Sequence, residues 1–471
     1  MAQEDLITDS RVIANHVSSK VKTSIEKIVM KASFWKAALF LLTITSSTLS
    51  AAERPNIVFI MADDLGYGDL GCYGCPDIRT PNIDRLAREG VRMTDFYANA
   101  CICTPTRYAL MTGRYQQRGG MEWALFYQET AAGLPPGGMT IAHLLRNRGY
   151  ATAISGKWHL GYDDDRAPNH QGFEHFFGLR GGSVNYFKHF DKKGIHDLYH
   201  NEQSVEMEGY ITDLISDYAV SFLQELHDEP FFLYVSPNAP HFPFQGPADA
   251  DKPVLPGGKG WHDGTRETYR AMVAGLDRGI GRILVELDKL DLTDKTLVVF
   301  TSDNGGSDYA RNYPFSKGKD MLWEGGIRVP CIARLPGVLP AGKTSHQVGI
   351  TMDWTRTMLQ LAGAQPPSDK PLDGIDLLPI LSGERTNMSR TLYWRRVKEP
   401  IRKHAQRHRA VRDGHWKYID RPDGRQYLYD LNVDPAETSN LAERQPKFAL
   451  DMKNLLNGWE AGLENPANPN E

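Results

Sequence analysis

Four short apolar runs constrain the fold of this chain more than any other feature. NIVFIMA (56–62), YATAIS (150–155), PFFLYVS (230–236) and TLVVFTS (296–302) each stop in a polar segment that carries Asp, Asn, Lys or His. Runs of this length and composition suit strands buried in a sheet. Between them the pattern turns helical. Thr80-Pro81 caps and opens a helix that Gly90 stops, Thr140 to Arg148 forms another ahead of Gly149, and a long one lies near 268–289. This alternation predicts an α/β fold with a large, mostly parallel central sheet flanked by helices. Open α/β sheets bind ligands outside the carboxyl ends of their strands. Asp63-Asp64, GKWHLG (156–161), PNAPHFP (237–243) and Asp303-Asn304-Gly305-Gly306 should therefore converge on one site.

The rest of the chain sets the limits. Its 471 residues, 41% hydrophobic and 24% charged, can supply one large core and a smaller one. Lys plus Arg number 54 against 58 Asp plus Glu, and a net charge of −4 gives no electrostatic reason to expect a nucleic-acid or membrane-surface partner. Past LDGIDLLPILSG (372–383) the texture changes. RAVRDGHWKYID and RQYLYDLNVDPAE look like short antiparallel strands and precede a helix near 446–459, which predicts a small C-terminal α+β domain. The expected division is 53–385 for the catalytic domain and 386–471 for the C-terminal subdomain.

The apolar run AALFLLTITSSTLSAA (37–52) is short and Ser/Thr-rich for a membrane span. With Lys31 and Lys36 before it and Ser50-Ala51-Ala52 at its end, residues 30–52 read as a signal peptide, and the protein as exported. A single-span anchor is the competing reading. Residues 1–29 are expected to be a mis-called extension ahead of a true start at Met30.

The stretch CICTPTRYALMTGRY (101–115) carries two of five cysteines. Pro105 reads as the first helical residue with Thr104 as N-cap, so Cys103 stands at a helix mouth that favours anions, and Arg107 adds a fixed cation. Asp63, Asp64, Asp303 and Asn304 offer only oxygen ligands, which suit Ca²⁺ or, less well, Mg²⁺. Either pair alone would be read as caps or turns; two pairs in the same topological position favour a metal. Lys157, His159, His241 and Lys319 complete a set of cations and acid/base groups, with Lys317 competing for the role of Lys319. A lone histidine or lysine is more often structural or merely solvated, so these gain weight only from their positions at strand ends.

CTPTRYALMTGR resembles the formylglycine motif of the type I sulfatases, Cys-x-Pro-x-Arg followed by Thr-Gly-Arg. PNIVFIMADDLGYGDLGCYG, GKWHLG, HQGFEHFFG, SPNAPHFP, TSDNGG and WEGGIRVP extend the resemblance over about residues 54–385, and within the family the chain resembles the arylsulfatase and N-acetylgalactosamine-6-sulfatase-like members. The resemblance implies an alkaline-phosphatase-like sandwich and hydrolysis of a sulfate monoester, on a sulfated carbohydrate or an aryl sulfate. It implies that a maturation enzyme converts Cys103 to formylglycine (3-oxoalanine), whose hydrate attacks sulfur beside Ca²⁺ held by Asp63, Asp64, Asp303 and Asn304. Arg107 and Lys157 then steady the hydrate, His159 takes a proton, and His241 with Lys319 serves the sulfate and the leaving group. Ser183, Trp394 and Arg395 are candidates for substrate binding, the last two within a rim that also includes 163–170 and 185–189. Two positions depart from the family pattern, Asp320 where a glycine is usual and Thr106 where a serine is common.

Four rivals follow from the same residues. Cys72, Cys75, Cys101 and Cys103 could form a zinc site, but the second pair is spaced too closely and the export signal disfavours it. A thiolate phosphatase would need a longer, glycine-containing loop between cysteine and arginine, and no acidic cluster. A phosphonate or phosphodiester hydrolase on the same scaffold, and an inactive glycan-binding relative, are the closer alternatives. Cys101 is expected to be a core or disulfide residue.

Overall fold

The computed structural model describes residues 54–126, 132–225, 229–397 and 407–463. The expected extension (1–29) and signal peptide (30–52) lie outside these. Residues from Pro55 onward form one compact unit. No helix among the described residues is long and apolar enough to cross a membrane.

The centre of the fold is a ten-stranded mixed sheet. Its middle is five parallel strands in the order β9 (Thr296–Ser302), β1 (Asn56–Ala62), β8 (Phe231–Ser236), β4 (Ala151–Gly156) and β5 (His175–Gly178). On one side the sheet continues through antiparallel β10 (Cys331–Arg334) to β2 (Val91–Met93) and β11 (Lys343–Ser345). On the other it ends in the short antiparallel β6 (Tyr199–His200) and β7 (Gln203–Ser204). A two-stranded ribbon pairs β3 (Phe96–Tyr97) with β12 (Gly349–Ile350). The sheet is thus parallel where the four apolar runs lie and mixed at its edges, where a tight turn joins β6 to β7 and longer connections bring in the other antiparallel strands.

The period of two in a strand explains why β1 is apolar from Ile57 to Ala62. Ile57, Phe59 and Met61 enter the core on one face with Leu110, Met111 and Trp354, while Val58, Ile60 and Ala62 enter the other with residues of the helices Ile211–Glu225 and Arg266–Lys289. Both faces are covered, so no polar position is tolerated until the strand ends.

Register then aligns those ends. Ala62 is opposite Ser302, Ile60 opposite Val235, and Gly156 opposite Ser236. The segments beginning at Asp63, Lys157, Pro237 and Asp303 leave the same edge of the sheet side by side.

The C-terminal sheet is a meander of β13 (Thr391–Val397), β14 (Arg407–Asp413), β15 (Trp416–Asp420) and β16 (Gln426–Asp430). One face packs Val411, Tyr418 and Leu428 against the helix Pro446–Ala461. The other places Leu392, Trp394, Ala410 and Ile419 against Tyr97, Ala109 and Trp323, so the small sheet shares a core with the catalytic part.

Candidate active site

The helix that carries the cysteine motif runs Cys103–Thr112, two residues earlier at its start than the sequence predicts. Ile102 is the extended flanking residue, and Pro105 falls in the first turn, where backbone N–H groups have no intrahelical partner and proline costs nothing. Thr104 is not the cap because its hydroxyl is used elsewhere: Oγ1 donates to the His159 carbonyl at 3.1 Å and accepts the Leu125 N–H at 3.1 Å. Gly113 ends the helix with φ 67°, its N–H donating to the Ala109 carbonyl. Cys103 is 3% exposed, and Arg107, one turn on, is fully buried.

Arg107 reaches across to the next strand end. Its Nη2 and Nε donate to Asp303 Oδ2 at 2.8 and 3.2 Å, and its Nη1 bonds Tyr234 and Ser236 of β8. Lys157 Nζ donates to Asp63 Oδ2 at 2.7 Å. Lys319 Nζ lies 2.7 and 2.8 Å from the two carboxylate oxygens of Asp64, which also accepts from Asn304 Nδ2 at 2.7 Å and Ser307 Oγ at 3.1 Å. Three buried carboxylates face three cations, and this balance makes their burial tolerable.

The electrostatics follow from burial first. Desolvation, with the neighbouring Asp63 carboxylate, pushes Asp303 up to about 6. Burial also opposes ionisation of Asp64, but Lys319 outweighs it and holds Asp64 below the usual carboxylate range. Burial, reinforced by Lys157, lowers His159 to about 3, and burial with Lys319 holds His241 well below its ordinary value. Both imidazoles are neutral at pH 7. Their tautomers are fixed by carbonyl oxygens, which can only accept: His159 Nε2 donates to Leu125 O at 2.9 Å and His241 Nδ1 to Phe242 O at 2.7 Å. The lone pair of His159 therefore sits on Nδ1, which is buried without a partner.

The donor set fits a hard divalent cation. Asp63 Oδ1 and Asn304 Oδ1 are buried oxygens that no hydrogen-bond donor satisfies. Ligand atoms of Asp63, Asp64 and His241 lie within 4.8 Å of one another, and His241 Nε2 is 3.6 Å from Asp64 Oδ2. Asp64 (φ 62°) and His159 (φ 55°) both adopt the left-handed conformation just past their strands, and such strain gathers at functional sites.

Of the residues singled out from sequence, Cys103, Arg107, Lys157, His159, His241, Lys319, Asp63, Asp64, Asp303 and Asn304 gather at this one edge. Lys317 is exposed, whereas Lys319 touches Asp64. Ser183 is half-buried beside Gly182, whose Cα is so close to the His159 ring that a Cβ there would meet Cε1 at 2.8 Å.

Trp394 and Arg395 are corrections. Trp394 is fully buried and donates its indole N–H to the Ala98 carbonyl at 2.9 Å; Arg395 is 7% exposed and clamped by Glu122 and Glu460. Trp394 packs against Tyr97 where the C-terminal sheet meets the catalytic part, and Arg395 ties β13 to Glu122 and to the last helix, so neither lines a substrate rim. Asn185 and His189 are likewise turned inward. All five cysteines are free; Cys101 and Cys331 are core residues.

Two neighbours went unread in the sequence. Ser307 bonds Asp64 and directly follows the Asp303–Gly306 segment, which is the signal that could have flagged it. Asn238 is fully buried in the loop between β8 and His241, and neither polar atom of its side chain has a partner.

A sandwich of this architecture, with carboxylates and cations meeting at the strand ends, defines an ester hydrolase of the alkaline-phosphatase-like class. The chain belongs to the sulfatase family, the sulfuric ester hydrolases: the sulfatase profile matches residues 55–364, and the N-sulphoglucosamine sulphohydrolase C-terminal profile residues 315–459. It is 36% identical over 399 residues to the N-acetylgalactosamine-6-sulfatase of Canis lupus familiaris, covering 78% of this chain and 73% of the relative. It is 34% identical over 457 residues to the arylsulfatase A of Homo sapiens, covering 89% and 86%. Among solved structures, Ps i-CgsB in complex with k-i-k-neocarrahexaose superposes with a TM-score of 0.80 at 33% identity, covering 88% of this chain and 94% of that one.

Proposed function

We propose that the protein is an exported carbohydrate sulfatase, matured at Cys103 to formylglycine by a dedicated enzyme and dependent on a divalent cation, Ca²⁺ in preference to Mg²⁺. The observation that carries the reading is the pair of unsatisfied oxygens, Asp63 Oδ1 and Asn304 Oδ1, beside a cysteine at a helix mouth with Arg107 one turn on. When present, the formylglycine hydrate supplies an oxygen nucleophile with a second hydroxyl for releasing sulfate, and the cation supplies a Lewis acid.

This chain's residues supply the rest. Asp63, Asp64, Asp303 and Asn304 would hold the cation. Arg107 and Lys157 fix the orientation of the group at position 103 and offset its negative charge. His159, neutral and with an unpartnered lone pair on Nδ1, accepts a proton when sulfate departs. Lys319 stabilises charge on the sulfate oxygens, and His241, whose Nδ1–H is committed to the Phe242 carbonyl, serves the leaving alcohol through Nε2 only once that nitrogen carries a proton.

The carbohydrate part of the proposal is supported by relatives named for N-acetylgalactosamine-6-sulfate and by a solved relative bound to a neocarrahexaose. The matured protein should release sulfate from an aryl sulfate and from defined sulfated oligosaccharides. Turnover of phosphonate esters with no sulfate release would contradict it.

A further inference from the structure

We infer that Phe242, His262 and Lys192 form the subsite for the sugar on the alcohol side of the scissile ester, and that this subsite selects a sugar bearing a second anionic group. The inference rests on the sulfatase reading and adds the substrate class to it.

Phe242 follows His241 directly. Its ring centroid is 4.0 Å from the His241 ring and 6.0 Å from Lys319 Nζ, so one aromatic surface borders the groups assigned to the leaving alcohol and the sulfate oxygens. Farther out, the His262 ring lies 4.4 Å from Phe242, and Lys192 Nζ is 3.3 Å from His262 Nε2. An ammonium only donates, so Nε2 accepts there. Phe242 is half-buried while His262 and Lys192 are exposed, and the row runs from the buried site to solvent.

The row is held in place. The Lys192 stem crosses Gly258 (φ 92°), where a Cβ would lie 2.5 Å from Lys192 Cε, and the Lys192 carbonyl accepts the Gly257 N–H at 2.9 Å. The loop that presents His262 is clipped by Lys252 Nζ, which donates to the carbonyls of Phe244 and Asp263 at 2.7 and 2.9 Å. Trp261, fully buried, donates to the Leu255 carbonyl at 3.0 Å and anchors the same loop.

A flat aromatic face beside a few placed polar groups is the usual composition of a small-molecule subsite. No carboxylate among the described residues pairs with the Lys192 ammonium, although Asp263 and Asp308 act on the His262 ring at longer range. The Lys192 ammonium uses one donor on His262 Nε2 and keeps others for a carboxylate or one further sulfate, with Asp263 and Asp308 too far off to take them up directly.

The test uses the full chain carrying Cys103→Ser, which cannot turn over, and calorimetric binding of three oligosaccharides alike except for their charge: monosulfated, disulfated, and sulfated with a uronate. The second anionic group should tighten binding roughly fivefold, and Lys192→Gln should remove that gain. Whether the disulfated or the uronate-bearing ligand shows it identifies the source of the charge. Equal affinity for all three, or a gain that survives Lys192→Gln, overturns the inference. A matured wild-type protein that releases no sulfate from an aryl sulfate, while the Lys192-dependent gain persists, would sink the sulfatase reading and leave the anionic subsite standing.

Discussion

Lys157 and Asp63 meet as a fully buried ion pair, Nζ 2.7 Å from Oδ2, across 94 residues of sequence. The contact ties the end of β4 to the end of β1, and the second oxygen of the same carboxylate has no hydrogen-bond partner. One aspartate thus serves a lysine and offers a ligand atom at once. Breaking a buried pair by removing one partner costs about 3–5 kcal/mol. Lys157→Met should show a loss of that order in urea unfolding of chelator-treated protein. The loss should shrink when calcium is restored, because the cation then neutralises the orphaned carboxylate.

Calcium itself should stabilise the fold. Ligand binding to the native state alone adds about 2.7 kcal/mol at a free concentration 100 times Kd. Chelation should lower the Tm of the wild type, and Asp303→Asn should abolish most of that shift. Thermal scans with and without calcium check both.

Lys319 and Lys317 differ by two positions and should differ sharply in effect. Lys319 contacts both oxygens of Asp64, whereas Lys317 is exposed. Lys319→Ala should lower kcat/KM for an aryl sulfate by about 10²–10³-fold, as for loss of a preorganised charge at a reacting oxygen. Lys317→Ala should leave it unchanged.

A second buried cluster predicts a pH effect on stability. Lys417 Nζ lies 2.8 Å from Glu324 and 2.8 Å from Glu437, and the Glu324 N–H donates to Glu437 at 2.6 Å. Burial, opposed by Lys417 and aided by the Glu324 charge, raises Glu437 to about 7 from an ordinary 4.5. Between those values the folded state binds more protons than the unfolded, so this group's contribution is full below pH 4.5 and is lost as pH rises through 7. Glu437→Gln should flatten the Tm profile between pH 5 and 7. An unchanged slope would contradict the assignment.

Arg395→Ala should act on stability alone. Its guanidinium bonds Glu122 at 2.6 Å and Glu460 at 3.1 Å; without it the buried Glu122 would lose its arginine, while Glu460 keeps Arg409 at 2.6 Å. A loss of about 3 kcal/mol with KM unchanged for the folded fraction is expected in paired unfolding and kinetic measurements.

The strand ends are legible because β1, β4, β8 and β9 are buried on both faces, which makes each a mostly apolar run, interrupted only by small hydroxyl residues, that gives way to charged or amide residues just past its end. The helix start at Cys103 is not, because the Thr104 hydroxyl could have capped it and is instead drawn to His159 and Leu125, contacts at long sequence separation. β13 was missed for a related reason. TLYWRRV runs three aromatic or apolar residues together and then two arginines, a pattern without clean alternation, and the arginines read as surface until Glu122, Asp320 and Glu460 supply their partners. Ser307 and Asn238 carry no periodic signal, and only the folded arrangement shows what surrounds them.

The central claim is that Cys103 acts only after conversion to an aldehyde. Its most direct test is mass analysis of the peptide spanning residue 103 from protein produced with a formylglycine-generating enzyme, with sulfate release from an aryl sulfate followed on the same sample. The account predicts the aldehyde form at Cys103, in proportion to activity across preparations of differing maturation. Full activity from protein whose Cys103 remains an unmodified thiol would contradict it.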